Sequence, residues 1–411
     1  MLKEKYISKV KETSVNVVQS RIESVRKKEI VKTSLRLYKD GYIGCSGAIG
    51  KYDEKELEAK AAEGFNNKIS YHYELKGNLS RREDLRGEII REEQIIEEFE
   101  GLLREIRKEQ PDFYFSNKLK IREHEYQMIN DNGLDLSYLD KAVEVSLIFK
   151  EKSSINIMDG FVGFDGRKYN RKLTVDLVNQ ICGAYKNKVD LPKKEKIPVI
   201  FSTGEEIIYR KLMQDLNGNI FGTGSSILSG KSREKLFNDG FSLYQTKNFE
   251  DTTLVPFFDA EGTVNHNDRF ALIENGVFIA PYTDKKVANK YNLPLSGAAT
   301  AQYDGVPTIG YPNLKIKESA YTAKELLGGQ LGVLVMVASG GDFTPQGNFG
   351  SPVQLAFLFD GEKMIGRLPE LTISSNLFDM FGKDFVGVSK DTIGPLSNER
   401  YFVTEMNVSK I

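Results

Sequence analysis

The sequence predicts an α+β fold in two parts. We expect an N-terminal α+β domain with a long helix on a sheet, then a C-terminal domain of mainly antiparallel β structure, sheet or barrel, with a few helices. Long alternating strands surround one amphipathic helix in the first half, and short hydrophobic strands alternate with Gly, Asn, Asp and Pro turns in the second. The 411 residues exceed the roughly 250–300 at which a single core stops growing, and the lysine-rich stretch 187–196 has no helical pattern. The predicted domains are therefore 1–188 and 189–411.

The first elements are a hairpin and a capped helix. Apolar residues alternate with polar ones from Val15 onwards, and Asp40-Gly41 lies between two such stretches, which favours a tight hairpin turn. The following YIGCSGAIG predicts a glycine-rich strand. Asp53 is the predicted N-cap of the helix EKELEAKAAEGF.

The most regular pattern runs from about Gly87 to Glu109 and predicts the long helix. Its apolar residues form one stripe on a charged helix, namely Ile89, Ile96, Phe99, Leu103 and Ile106. Pro111 ends it. The stripe covers only about three heptads, which favours packing on a sheet over a coiled coil.

The rest of the first half predicts strands and a closing helix. Residues 113–169 have strand patterns broken by the turn formers Asn130 to Gly133, and Leu173 to Lys186 has a helical pattern.

The second half begins with the apolar strand PVIFS. Thr203 is the predicted N-cap of the next helix, with Glu206 as its capping-box partner, and this helix extends to about Leu216. Four further segments predict short strands: ALIENGVFIAPY, LGVLVMVAS, VQLAFLFDGEKMI and LPELTIS.

Composition excludes several classes of function. The 57 basic and 58 acidic residues give a formal net charge of −1, so no direct nucleic-acid or membrane partner is expected. No apolar run reaches the roughly 18 residues of a membrane-spanning helix, and the N-terminus has no signal-peptide pattern. With only two cysteines, the chain is expected to be a cytoplasmic protein without structural disulfides.

Histidine and cysteine are too few and too dispersed for a zinc site. The candidates are His72, His124, His266, Cys45 and Cys182, and no two lie within one helical turn of each other. A catalytic zinc site needs three protein ligands held around one point. We therefore expect no metal and no cofactor in this chain. His124 and the glycine-rich GTGSSILSG have patterns typical of an ordinary strand residue and a structural loop.

One polar segment stays a candidate for chemistry. Asp259 and Glu261 are close in sequence to His266 and Asp268. Such carboxylates can bind a hard cation or orient the imidazole, although a solvated loop has the same composition. Both interpretations stay open.

An ordered series of motifs marks a family resemblance. In the second half these are SSILSGK, PFFDAEGT, ALIENGVFIAPYTDKKVANKYNL, LLGGQLGVLVMVASGGDFTPQGNF, LAFLFDGEKM and LTISSNLFDMF. In the first half they are VQSRIESVRKKEI, SLRLYKDGYIGCSG and KYDEKELEAKAAEGF. Together they resemble the TldD/PmbA family, also named after modulators of DNA gyrase.

The resemblance implies which kind of member this is. Catalytic TldD-type members bind zinc through HExxxH and a cysteine near the C-terminus. Here Tyr209, Arg210 and Gln214 occupy the motif positions, and no cysteine follows Cys182. The chain is thus similar to PmbA/TldE-type members, which pair with a zinc-bearing TldD-type subunit in a peptidase that acts on unfolded or small peptides.

The resemblance also suggests residues near a shared cavity. They are Gly340, Gly341, Asp342, Gly347 and Asn348, and a tight turn that needs positive φ explains the glycines equally well. Two alternatives remain: a self-sufficient hydrolase using Asp259, Glu261 and His266, and a stand-alone homodimer that binds peptides without chemistry.

Overall fold

The computed structural model describes residues 1–411, and its N-terminal part contains seven strands and three α-helices. The strands are β1 (Leu2–Val18), β2 (Arg21–Lys39), β3 (Tyr42–Ile49), β4 (Leu79–Asp84), β5 (Phe113–Asn130), β6 (Leu134–Glu151) and β7 (Gly160–Gly166). The helices are α1 (Glu54–Glu63), α2 (Ile95–Glu109) and α3 (Arg171–Lys186).

These strands form one sheet in the order β3-β2-β1-β5-β6-β4, with β7 also paired to β6. Short turns join β1 to β2, β2 to β3 and β5 to β6, so these pairs are antiparallel. The β1–β5 and β6–β7 pairs are antiparallel too, and β4 alone runs parallel to its neighbour β6. The predicted turns at Asp40-Gly41 and at Asn130 to Gly133 are confirmed. So is the Asp53 cap, whose side chain accepts a hydrogen bond from the Glu56 amide.

The long helix on the sheet is confirmed, but its predicted beginning is wrong. Helix α2 starts at Ile95, after a single 3-10 turn, so Ile89 lies outside it. Ile96 is 51% exposed, whereas Ile95 is buried. The buried face consists of Ile95, Phe99, Leu102, Leu103 and Ile106, spaced by three and four residues. Phe99, Leu103 and Ile106 belong to the predicted stripe, whereas Ile95 and Leu102 do not. Each fully buried side chain of this kind contributes roughly 1.5–3 kcal/mol.

The C-terminal part contains fifteen strands and five α-helices. The strands are β8 (Lys196–Ser202), β9 (Leu243–Thr246), β10 (Arg269–Glu274), β11 (Val277–Phe278), β12 (Ala299–Thr300), β13 (Thr308–Ile309), β14 (Leu314–Ile316), β15 (Gly332–Val337), β16 (Asp342–Phe343), β17 (Asn348–Val353), β18 (Leu355–Phe359), β19 (Met364–Arg367), β20 (Leu371–Asn376), β21 (Phe385–Thr392) and β22 (Arg400–Lys410). The helices are α4 (Glu206–Asp215), α5 (Gly218–Gly222), α6 (Lys285–Tyr291), α7 (Ala323–Leu327) and α8 (Leu377–Met380).

Most of these strands form a nine-stranded sheet ordered β16-β17-β20-β22-β8-β15-β18-β19, with β21 also on β22. All its pairs are antiparallel except β15 with β8. The predicted mainly antiparallel architecture is confirmed in its open-sheet form, since no sheet closes into a barrel. Smaller sheets ordered β11-β10-β9-β14 and β12-β13 complete this part.

The predicted capping box at Thr203 and Glu206 is wrong. The N-cap of α4 is Glu205, without a side-chain cap, and Glu206 is the first helical residue. Thr203 extends the pairing of β8 with β22 instead, because its hydroxyl accepts a hydrogen bond from the Arg400 amide at 2.9 Å. The sheet therefore decides where this helix begins.

Buried contacts connect the two parts. Leu355 and Phe357 of β18 belong to the apolar core that β5, β6, α2 and α3 form. Arg81 of β4 makes a bidentate pair with Asp268, with both N–O distances at 2.6 Å. The domain boundary at 188/189 stays a prediction. None of the helices is both long enough and apolar enough to cross a membrane.

Candidate functional site

Helix α4 contains the three residues at the HExxxH positions, and the first of them, Tyr209, is buried. Tyr209 packs in the C-terminal core and donates its hydroxyl to the Thr203 carbonyl at 2.6 Å. Burial, followed by the charge of Glu399, raises the pKa of Tyr209. Its oxygen is thus a protonated hydrogen-bond donor inside the protein.

The other two motif positions lie one turn apart on the exposed side of α4. Arg210 donates from Nη1 to the Gly341 carbonyl at 3.2 Å, and the same atom lies 3.9 Å from Asp342 Oδ1. Gln214 is exposed. The structure therefore brings Arg210 together with two of the predicted cavity residues. The Arg210–Asp342 ion pair is too exposed to contribute more than a few tenths of a kcal/mol.

The predicted glycine turn is a hairpin between β16 and β17. Gly340 and Gly347 both have φ of +89°, a conformation that favours glycine. Gly341 lies against Ser351, so that a Cβ atom there would collide with the serine side chain. Asn348 accepts a hydrogen bond from the Asn376 amide at 2.9 Å. Asp342, Gly347 and Asn348 thus lie on this hairpin, and Gly340 and Gly341 directly precede it.

The residues at the motif positions do not fit zinc. A guanidinium has no free lone pair, the Tyr209 hydroxyl is committed to a carbonyl, and an amide oxygen is a weak zinc ligand. No three histidine, cysteine, aspartate or glutamate side chains in the structure converge as a metal site would require.

The three residues of the hydrolase alternative do not meet. Asp259 and Glu261 are buried, whereas His266 is exposed in the 3-10 turn His266–Asp268. Asp259 accepts main-chain hydrogen bonds from Glu261, Thr263 and Ala299 at 2.8–3.0 Å. Both carboxylate oxygens of Asp259 therefore accept main-chain hydrogen bonds and stabilise the surrounding loops.

Glu261 is bound by both parts of the chain. Its carboxylate accepts from the Tyr71 hydroxyl at 2.8 Å and from the Lys285 amide at 2.9 Å. Burial, and then repulsion from Asp259, raises the pKa of Glu261 to about 7. No local pattern in the sequence indicates the contact of Glu261 with Tyr71, which is 190 residues away.

Glu261 should make stability depend on pH. A glutamate in an unfolded chain titrates near pH 4.3, roughly, so between that value and about 7 the folded protein holds a proton that the unfolded chain has lost. Its contribution to stability therefore falls as pH rises through this window. Glu261→Gln stays neutral, and we expect urea unfolding to show a smaller loss of stability between about pH 5 and pH 8 than in the wild type.

The matched control is Glu234→Gln, since Glu234 is exposed. It should keep the wild-type pH dependence. An equal pH dependence for Glu261→Gln and the wild type would contradict the prediction.

Comparisons with known proteins identify the family and the fold. Residues 194–409, more than half of the chain, match the family model described as the PmbA/TldA metallopeptidase C-terminal domain. No curated protein matches the chain.

Three solved structures share the fold along nearly the whole chain. TldE from Thermococcus kodakarensis is 20% identical with a TM-score of 0.81, and the match covers 100% of this chain and 97% of that one. A candidate modulator of a DNA gyrase from Thermotoga maritima MSB8 is 16% identical with a TM-score of 0.77, covering 99% and 96%. A similar protein from Bacteroides thetaiotaomicron VPI-5482 is 15% identical with a TM-score of 0.75, covering 100% and 95%. The chain belongs to the TldD/PmbA family of metallopeptidase-related proteins.

Proposed function

We propose that this chain is the non-catalytic, zinc-less TldE/PmbA-type subunit of a TldD/TldE-like peptidase complex that acts on unfolded or small peptides. The observation that carries the proposal is the chemistry of α4. Tyr209, Arg210 and Gln214 stand at the motif positions, and the first two are engaged in contacts with the protein itself. Zinc is then held by a TldD-type HExxxH partner.

The neighbourhood of α4 supports a role in aligning a peptide. β16 is an end strand of the nine-stranded sheet and pairs only with β17, so its other edge carries no strand. An extended peptide can add to such an edge through main-chain hydrogen bonds that depend little on its sequence. Arg210 of α4 donates a hydrogen bond to the carbonyl of Gly341, which directly precedes β16. In this proposal the chain supplies cavity wall and substrate alignment, and the partner supplies the chemistry.

Cleavage of an unfolded peptide by separated and mixed subunits tests the proposal. We expect no cleavage by this chain alone and chelator-sensitive cleavage when it is mixed with an HExxxH-bearing family member. The matched control is the same mixture with the glutamate of the partner's HExxxH replaced by glutamine, which should be inactive because it removes the general base.

The alternatives give different outcomes in the same experiment. Cleavage by the chain alone that survives chelator and disappears in Asp259→Ala would favour the self-sufficient hydrolase. Peptide binding by a homodimer, with no cleavage in any mixture, would favour the stand-alone binding protein. Either result would replace the proposal.

A further inference from the structure

A small cavity lies close to helix α4 and is lined by a lysine, Lys247, that forms no ion pair. It has a volume of about 210 Å³ and is bounded by β1, by the end of β9 and by the loops around residues 255–260, 297–301 and 310–313. Its apolar wall includes Tyr6 and Phe258, and its polar wall includes Lys247 and Asp259. Tyr311 lines it while being 76% exposed, so the cavity is open to solvent on that side.

The nearby carboxylates are already paired with other groups. Asp251 pairs with Arg269 at 2.7 Å and lies 3.7 Å from Lys315, and Asp268 pairs with Arg81 at 2.6 Å. No carboxylate lies within the 4.0 Å of an ion pair from the Lys247 ammonium, whose one hydrogen bond goes to the Gly297 carbonyl. An ammonium has three donors, so two remain.

Asp259 does not neutralise this lysine directly. Its oxygens already accept three main-chain N–H groups. Burial lowers the pKa of Lys247, and the charges of Asp259 and Asp268 oppose this only in part. Lys247 is partly buried. A cation that is partly removed from water without forming an ion pair carries a desolvation cost, and an anion bound beside it offsets that cost.

We propose that this cavity binds the C-terminal carboxylate of a peptide through the ammonium of Lys247. The choice of a peptide rests on the proposed function, whereas the preference for a carboxylate follows from the lysine. The volume exceeds that of several water molecules, at roughly 30 Å³ each, but lies below the roughly 300–1,000 Å³ of pockets that enclose a whole small ligand. The cavity therefore takes one terminal residue, and the rest of the peptide leaves through the open side.

A neighbouring cleft gives the peptide a path towards α4. This cleft, of about 370 Å³, shares Val255, Pro312 and Asn313 with the cavity, and Tyr209 and Met213 of α4 also line it. A peptide anchored by its carboxylate can thus extend along the cleft to the helix at which the motif positions lie.

Calorimetric titration of the full chain with a short peptide tests the proposal. The probe is N-acetyl-trialanine, used as the free acid and as the C-terminal amide, with sodium acetate as a third ligand. We expect the acid to bind and the amide to bind at least about ten-fold more weakly, since a hydrogen bond to a charged group contributes about 1.5–3 kcal/mol. Acetate should bind more weakly than the peptide acid because it lacks the rest of the chain. This comparison needs no variant.

Lys247→Met should reduce the affinity for the acid by about ten-fold or more and leave binding of the amide unchanged. The matched control is Lys317→Met, since Lys317 is exposed outside the cavity, and it should bind both peptides as the wild type does. Equal affinities for acid and amide, no binding of the acid, or full affinity in Lys247→Met would each overturn the proposal. Acetate binding as tightly as the peptide would overturn the assignment to a peptide. None of these outcomes depends on a zinc-bearing partner, so this inference fails separately from the proposed function.

Discussion

Arg36→Met is expected to destabilise the protein by about 3–5 kcal/mol, because it leaves a buried carboxylate without its cation. The side chains of Arg36 and Glu4 are each only 1% exposed, and Arg36 Nη1 lies 3.1 Å from Glu4 Oε1. The same nitrogen donates to the carbonyl of Ala260, and Tyr38 donates to Glu4 at 3.0 Å. The pair thus joins β1 and β2 to the loop that carries Asp259 and Glu261.

A double-mutant cycle measures the interaction energy of the Arg36–Glu4 pair separately from the other contacts of the two side chains. Glu4→Gln combined with Arg36→Met removes both charges, and the double variant should recover much of the loss seen in Arg36→Met. Urea unfolding supplies the free energies. Arg26→Met, at an exposed position on the same strand, is the control and should stay within about 0.5 kcal/mol of the wild type. A loss below about 1 kcal/mol in Arg36→Met would contradict the prediction.

Asp140→Ala is also expected to lower the free energy of unfolding by about 3–5 kcal/mol. Asp140 is fully buried and accepts two hydrogen bonds from Arg167, at 2.8 and 2.7 Å. It also accepts from the Tyr138 hydroxyl at 2.8 Å and the Leu254 amide at 2.7 Å. Removing it leaves Arg167 without its counter-charge and leaves the buried Tyr138 hydroxyl and Leu254 amide without their acceptor. A buried donor without an acceptor costs about 1–3 kcal/mol.

Asp140→Ala should also destabilise one segment locally, in addition to lowering the stability of the whole protein. Arg167 also donates to the carbonyls of Phe249 and Thr252, so hydrogen exchange should accelerate in residues 247–256 of Asp140→Ala. Asp176→Ala, in an exposed pair on α3, is the control and should change neither stability nor this exchange appreciably. Unchanged exchange in 247–256 would mean that Asp140 does not hold this segment.

The fold elements with local signals were predictable from the sequence. The Asp-Gly turn, the Asp53 cap and helix α3 each depend on residues close together in the chain. The beginning of α2 was missed because Ile95 and Ile96 are equally apolar, and only packing on the sheet decides which one is buried. The predicted Thr203 cap is wrong because the hydroxyl of Thr203 accepts a hydrogen bond from the amide of Arg400, 197 residues away.

In the candidate site, too, only the features with a local sequence signal were predictable. The position of α4 follows from a motif resemblance within one short segment. The contact of Arg210 with Gly341 spans 131 residues, and nothing local in the sequence indicates it. Lys247 lies in no recognisable motif. That it forms no ion pair follows only from the fold, because Arg81 pairs with Asp268, and Arg269 and Lys315 lie on Asp251.

The zinc content of the separately purified subunits shows whether this chain is zinc-less. We expect that this chain, purified without added metal and then dialysed against zinc, retains far less than one zinc per chain, whereas an HExxxH-bearing partner treated alike retains about one. Elemental analysis by mass spectrometry gives both ratios. If this chain alone retained about one zinc per molecule after dialysis, it would not be a zinc-less subunit, because that zinc would require a metal site that Tyr209, Arg210 and Gln214 do not supply.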